Sequence, residues 1–138
     1  RVVTENGGMI GFSLYPHHLK DKSRCTIEEF CGMVARTADR FGVKNIGIGS
    51  DLCQDQPDSV VEWMRVGRWT KETDYGEGSA MAAGFPPMPH WFQDNRDFGN
   101  LEQGLSDVGM NSEEIAAVMG KNWYRFFAEN FVPQGTLK

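Results

Sequence analysis

An α/β fold with a parallel strand pair is what this sequence predicts, and three observations carry the prediction. Two short apolar runs, residues 9–14 and 45–49, are bounded by turn formers, as strands covered on both faces are. The segment between them opens on a capping signature and keeps apolar residues at helical spacing. The second run leads directly into a carboxylate, Ser50-Asp51, and the carboxyl ends of parallel strands are where α/β proteins place their chemistry.

The elements follow in order. Residues 1–6 read as the end of a helix stopped at Gly7-Gly8. Residues 9–14, Met-Ile-Gly-Phe-Ser-Leu, form the first strand and end at Tyr15-Pro16. A polar connection spans residues 17–25. Thr26-Ile27-Glu28-Glu29 then matches the capping box, a hydroxyl acceptor with a carboxylate three residues on. The helix it opens carries Ile27, Phe30, Val34, Ala38 and Phe41 on one face, and Gly42 ends it. In the second strand, Asn45-Ile46-Gly47-Ile48-Gly49, glycines alternate with isoleucines, so one side carries no bulk and a neighbour can approach the backbone closely. Strand, helix and strand make a βαβ unit. Asp51 is its leading candidate for a working residue, although Ser-Asp after a strand is also common turn chemistry.

Beyond Asp51 the pattern changes. Residues 57–69 contain a short helix candidate with Val60, Val61, Met64 and Trp69 on one side. Residues 70–98 are rich in Gly, Pro and aromatics without a period, which points to a functional loop or lid. A helix is expected over residues 100–108. A last one opens at Asn111-Ser112-Glu113-Glu114 and runs through Ile115, Val118, Met119, Asn122, Phe126 and Phe127. Two parallel strands leave faces and edges open, and the last helix needs a larger surface than they offer. The chain, which begins with Arg1 rather than Met, is therefore expected to be a piece of a larger α/β fold.

Composition narrows the class. The chain has 138 residues, a net charge of -5 and 40% hydrophobic residues, a balance that suits a soluble globular protein and argues against a nucleic-acid partner. No apolar run approaches the roughly 20 residues of a membrane span, and no apolar stretch after Arg1 makes a signal peptide. Cys25, Cys31 and Cys53 lack C-x-x-C spacing and read as small buried hydrophobes in a reducing compartment, so a cytoplasmic location is expected.

Three stretches then carry a resemblance: Gly8-Met9-Ile10-Gly11-Phe12-Ser13-Leu14-Tyr15, the strand at 45–49 with Ser50-Asp51, and Met119-Gly120-Lys121-Asn122-Trp123-Tyr124-Arg125-Phe126-Phe127. With His90-Trp91-Phe92 through Arg96-Asp97-Phe98, which looks like a long terminal loop, they occur in order along nearly the whole chain. The chain resembles the carboxyl-terminal part of the renal, or membrane, dipeptidase family, a zinc peptidase branch of the amidohydrolase superfamily. The resemblance implies the carboxyl-terminal portion of a (β/α)8 TIM-type barrel. Residues 1–138 would be one segment of a single barrel domain, residues 9–14 its seventh strand and 45–49 its eighth, with the earlier strands upstream of Arg1. It implies a binuclear zinc site whose ligands lie in that upstream part, a dipeptide substrate, and inactivity of this segment alone. Asp51 would exchange protons with the metal-bridging water and the leaving amine, and the Gly47/Gly49 face would leave room beside the metals. Tyr15 corresponds to a position lining the substrate pocket; the alternative is a half-buried packing tyrosine.

Departures from the family pattern are equally specific. No H-x-D or H-E-x-x-H spacing occurs, and adjacent histidines point apart in an extended chain, so neither His17, His18 nor His90 is assigned as a metal ligand. His90, beside Trp91, is expected at the surface or in packing. The family's second aspartate after the eighth strand has no clean equivalent, since Leu52-Cys53 intervene before Gln54-Asp55. The arginine that grips the substrate carboxylate in the family would lie upstream, and Arg1 is not given that role. Alternatives on the same fold are an N-acyl amino acid amidase or a lactonase. From another class comes a non-catalytic binding or tailoring relative. A free-standing flavodoxin-like module would leave the long loop and last helix unexplained. A homodimer is a possible assembly.

Overall fold

The structure is a computed structural model, and it describes residues 2–60 and 84–131. It opens with one helical turn, α1 (Val2–Glu5). Gly7 takes a positive φ of 75°, and Gly7 and Gly8 donate their backbone N–H groups to the Thr4 and Val3 carbonyls at 3.3 and 2.8 Å. That is the Schellman stop that the glycine pair suggests.

Strands β1 (Ile10–Ser13) and β2 (Ile46–Gly49) pair in parallel, with Ile10 opposite Ile46, Gly11 opposite Gly47 and Phe12 opposite Ile48. Helix α2 (Ile27–Phe41) makes the crossover. Its capping box is closed from both sides: Thr26 Oγ1 accepts from the Glu29 amide and Glu29 Oε2 accepts from the Thr26 amide, each at 3.2 Å. Gly42, at φ 84°, ends it by donating to the Ala38 carbonyl at 2.7 Å. The second strand begins one residue later than the sequence suggests. Val43–Asn45 wind into a 3-10 turn, and the Asn45 side chain donates to the Gly8 carbonyl at 2.9 Å, tying the entries of the two strands together.

Alternation sorts the sheet residues onto two faces. Phe12 meets Phe30 of α2 edge to face, with ring centroids 6.4 Å apart. Beneath them lies the core, in which Leu14, Val34, Ile46, Phe92, Leu101, Leu105 and Val118 are fully buried. Helix α3 (Phe98–Asp107) begins two residues before the expected start, because a 3-10 turn over Asn95–Asp97, capped by Asp94, feeds straight into it. It packs closely on α2 at Gly104, where a Cβ would stand 2.8 Å from both Cys31 Sγ and Ile27 Cγ1.

The last helix is not continuous. Helix α4 (Ser112–Ala116) starts from Asn111, whose side chain accepts from the Glu113 and Glu114 amides at 3.0 Å. The helix then kinks within Ala117–Lys121, where Gly120 leaves helical backbone at φ 172° and ψ -30°, and helix α5 (Asn122–Asn130) follows. A kink at a glycine re-aims the side chains that follow it. Asn122 thereby becomes a buried polar residue, 4% exposed, donating to the Val43 and Ile46 carbonyls at 2.7 and 2.9 Å. Trp123 Nε1 donates to the Ile48 carbonyl at 2.9 Å, and Arg125 reaches the Lys44 carbonyl.

The glycine face of the sheet is occupied by this helix. A Cβ on Gly47 would stand 2.8 Å from Trp123 Cδ1, and one on Gly11 3.2 Å from Trp123 Cζ2. The close approach expected there occurs, but an indole makes it, so the space at Gly47 is not open beside a metal site. Gly49 alone keeps open space around its Cβ position.

The helix candidate at 57–69 and the long loop at 70–98 fall largely on residues 61–83, outside the described residues. The described end of that loop is anchored rather than lid-like. Trp91 and Phe92 are buried, and the Trp91 indole donates to the Cys25 carbonyl at 2.7 Å. Among the described residues, no helix is long and apolar enough to cross a membrane.

Replacing Asn122 by Ala leaves the Val43 and Ile46 carbonyls without their side-chain donor. The expected cost is about 2 kcal/mol, because buried groups left unpaired lose their full desolvation penalty. A urea titration monitored by tryptophan fluorescence checks it; an unchanged midpoint would show that Asn122 does not anchor α5 to β2.

Candidate functional site

A cleft of about 670 Å³ opens at the carboxyl ends of β1 and β2. That volume is in the range of small-molecule sites. Tyr15 and His18 line it from the segment after β1, Asp51 through Asp55 from the segment after β2, and Phe85, Pro86, Met88, Gln93 and Asp94 from the far wall. Beyond the ladder, the Leu14 amide donates to the Ser50 carbonyl at 3.3 Å, and this bond holds the two strand exits side by side. Tyr15 and Asp51, the two site residues picked from the sequence, are thus brought to one cleft by neighbouring strands.

Asp51 is exposed, with its backbone in the left-handed region at φ 54°. Asp tolerates that region better than most side chains, and such conformations concentrate at functional sites. Asp55, at φ 54°, repeats it four residues on. Between them the Leu52 amide donates to Ser50 Oγ at 3.4 Å. The chain therefore turns sharply on leaving β2 and lays its side chains along the cleft.

The far wall is stiffened from within. Asp97 Oδ2 accepts from the Gln93 and Asp94 amides at 2.7 and 3.2 Å, and the Gln93 side chain donates to the Met88 and Pro89 carbonyls at 3.0 and 2.7 Å. Arg96 grips Asp94 through two nitrogens, with Nη2 to Oδ2 at 2.5 Å. The Arg96 side chain, and then its backbone amide, hold the Asp94 carboxyl down from an ordinary 3.8 to about 2. The same pairing raises the Arg96 guanidinium.

The three histidines part company. His17 is half-buried against the Tyr15 ring, with centroids 5.4 Å apart. His90 is exposed and does not line the cleft. His18 does line it: Nδ1 lies 3.0 Å from Ser13 Oγ and its ring meets Tyr15 edge-on at 5.4 Å. Reading the sequence for metal spacing passed over His18. The available signal was Pro16, which starts the 3-10 turn Pro16–His18 and folds the histidine back toward the strand end. Asp94 and Phe85 were not findable locally, since they reach the cleft from far along the chain. Among the described residues, no group of three or more His, Cys, Asp or Glu is placed to hold a metal ion.

Of the three thiols, Cys25 and Cys31 are buried, as expected for small core residues. Burial pushes the Cys31 thiol up to about 12 and raises that of Cys25. Cys53 departs from that expectation: it is exposed and lines the cleft.

No protein-family model matches the chain, and no curated protein matches it. A crystal structure of an amidohydrolase from Pseudomonas aeruginosa does match, with a TM-score of 0.73 and 24% sequence identity over 89% of this chain. The chain spans 36% of the length of that protein. The likeness is one of fold: the described α/β arrangement recurs as part of a larger amidohydrolase chain.

Two outcomes test this geometry. Alkylation of the native protein near neutral pH is expected to label Cys53 well before Cys25 or Cys31, read by peptide mass spectrometry; equal rates would contradict the described burial. Because its folded pKa is depressed, the Asp94–Arg96 pairing contributes fully above the ordinary 3.8 and is lost as pH falls through about 2. In a carboxyl-carbon NMR titration, Arg96→Gln should return Asp94 toward the ordinary range.

Proposed function

We propose that the chain is the carboxyl-terminal part of a barrel-shaped hydrolase of the amidohydrolase type, and that the cleft is its portion of the active site. The reading as a zinc-dependent dipeptidase follows from the family resemblance. The observation that supports it most is the meeting of Tyr15 and Asp51 in one cleft at the carboxyl ends of adjacent parallel strands, the location where α/β barrels assemble active sites. The fold likeness to an amidohydrolase of which this chain spans 36% supports the same reading.

In this account β1 and β2 are the last two strands of a (β/α)8 barrel, and residues upstream of Arg1 supply the rest. The family resemblance, and not the described residues, assigns the zinc ligands to that upstream part. A zinc pair held there would supply an acidified water.

The steps this chain performs are those of its own side chains. Asp51 presents an exposed carboxylate at the strand exit. Within hydrogen-bond reach of an attacking water, it takes up the proton and later returns it to the leaving amine, so that the peptide bond breaks without expelling an amide anion. Tyr15, half-buried and braced by the rings of His17 and His18, offers an aromatic wall against which a substrate side chain packs.

In the complete protein, Asp51→Asn keeps the shape of the side chain and removes its basicity. Dipeptide turnover is expected to fall about 10²–10⁴-fold, with zinc content by elemental analysis unchanged. Near-normal turnover with zinc retained would overturn the proton-transfer role. Hydrolysis of N-acyl amino acids or lactones in preference to dipeptides would move the substrate class while leaving that role intact.

A further inference from the structure

We propose that His18 is a specificity-determining residue of this cleft, donating a hydrogen bond from Nε2 to a neutral oxygen on the substrate side chain, with Ser13 as the positioning residue that sets its tautomer. The inference rests on reading the cleft as a hydrolase site.

Ser13 Oγ already accepts from the Tyr15 amide at 3.1 Å. Its own proton can still be donated, and in the proposed arrangement it goes to His18 Nδ1, 3.0 Å away. A neutral imidazole that accepts at Nδ1 carries its hydrogen on Nε2, which makes that nitrogen a donor. The ring is held in place by the 3-10 turn over Pro16–His18 and by its edge-on contact with Tyr15, so the donor's position is built in before a ligand arrives.

What it would bind follows from the surrounding charge. Asp51, Asp55 and Asp94 also line the cleft, and no lysine or arginine is among its described lining residues. Asp94 is matched by Arg96, but an anionic side chain would still meet the carboxylates of Asp51 and Asp55, whereas an amide or hydroxyl oxygen meets a fixed donor without that repulsion. The other side-chain amide on the far wall is unavailable for the task, because Gln93 Nε2 is committed to the Met88 and Pro89 carbonyls. A fixed donor favours a substrate that can accept from it and rejects one of the same shape that cannot, since the site's polar group is then left unpaired.

Asparagine and leucine are near-isosteric, the first carrying an amide oxygen and NH2 where the second carries two methyl groups, so they make the probe. With the complete zinc-loaded protein, dipeptides carrying Asn in either position are expected to show KM about tenfold below those of their Leu counterparts. His18→Phe keeps an aromatic ring and loses the donor. It should raise KM for the Asn dipeptides about tenfold, change kcat less than about threefold and erase the preference. His18→Gln, which keeps an N–H donor, should recover most of it, and Ser13→Ala should lose part. His18 is exposed, so thermal unfolding of the two His18 variants should match the parent. Absence of the Asn preference in the parent protein, or its persistence in His18→Phe, overturns the inference while dipeptide hydrolysis stands. Failure of the parent protein to hydrolyse any dipeptide overturns the dipeptidase reading and this inference with it.

Discussion

Everything in this structure depends on how closely an indole can lie on two strands. Gly11 and Gly47 stand opposite each other in the parallel ladder, and Trp123 lies against both. Neither position could carry a side chain without displacing that ring. The indole N–H bonds to the Ile48 carbonyl, and Asn122 beside it bonds to the carbonyls of Val43 and Ile46. Helix α5 is therefore fastened to β2 by polar groups as well as by packing. A two-stranded parallel sheet is a weak element by itself, and here one face rests on α2 while this helix packs on the other at Gly47, with Gly11 and Gly49 still exposed.

That fastening has a consequence at the other end of the strands. With the entries tied by Asn45 to Gly8 and the exits by Leu14 to Ser50, β1 and β2 cannot slide against each other without breaking bonds at both ends. Tyr15 and Asp51 leave the sheet from a fixed frame. The positive φ of Asp51 then turns the chain along the cleft instead of away from it. A far wall held by Asp97, Gln93 and the Asp94–Arg96 pair completes a cleft whose dimensions suit a small substrate.

Local chemistry was readable from the sequence, and long-range chemistry was not. The capping box at Thr26 and Glu29, the glycine stops at Gly7-Gly8 and Gly42, and the parallel pair each depend on neighbours within a few residues or on a strong period, and each stands where the pattern put it. The kink at Gly120 was missed, because the apolar stripe runs on through it and the one trace is a lone glycine inside a helical pattern; the reading of one unbroken helix overlooked the bend that precedes the buried Asn122. The Gly47 face was correctly read as a place of close approach, but only the folded chain shows that the visitor is Trp123, some 75 residues later. At the cleft, Asp51 was picked for its place at a strand exit and Tyr15 through the family resemblance, and both line it. His18 was weighed only as a metal ligand, and its link to Ser13 depends on a turn whose direction spacing does not reveal.

The central claim is that Asp51 works on substrate in a cleft shared with upstream strands. A crystal structure of the complete zinc-loaded protein with a phosphinate analogue of a dipeptide tests it most directly. The account predicts the phosphinate in this cleft, with an Asp51 carboxylate oxygen about 2.6–3.2 Å from a phosphinate oxygen and Tyr15 against the ligand. An analogue bound away from the exits of β1 and β2, or an Asp51 carboxylate out of hydrogen-bond reach of it, would contradict the account.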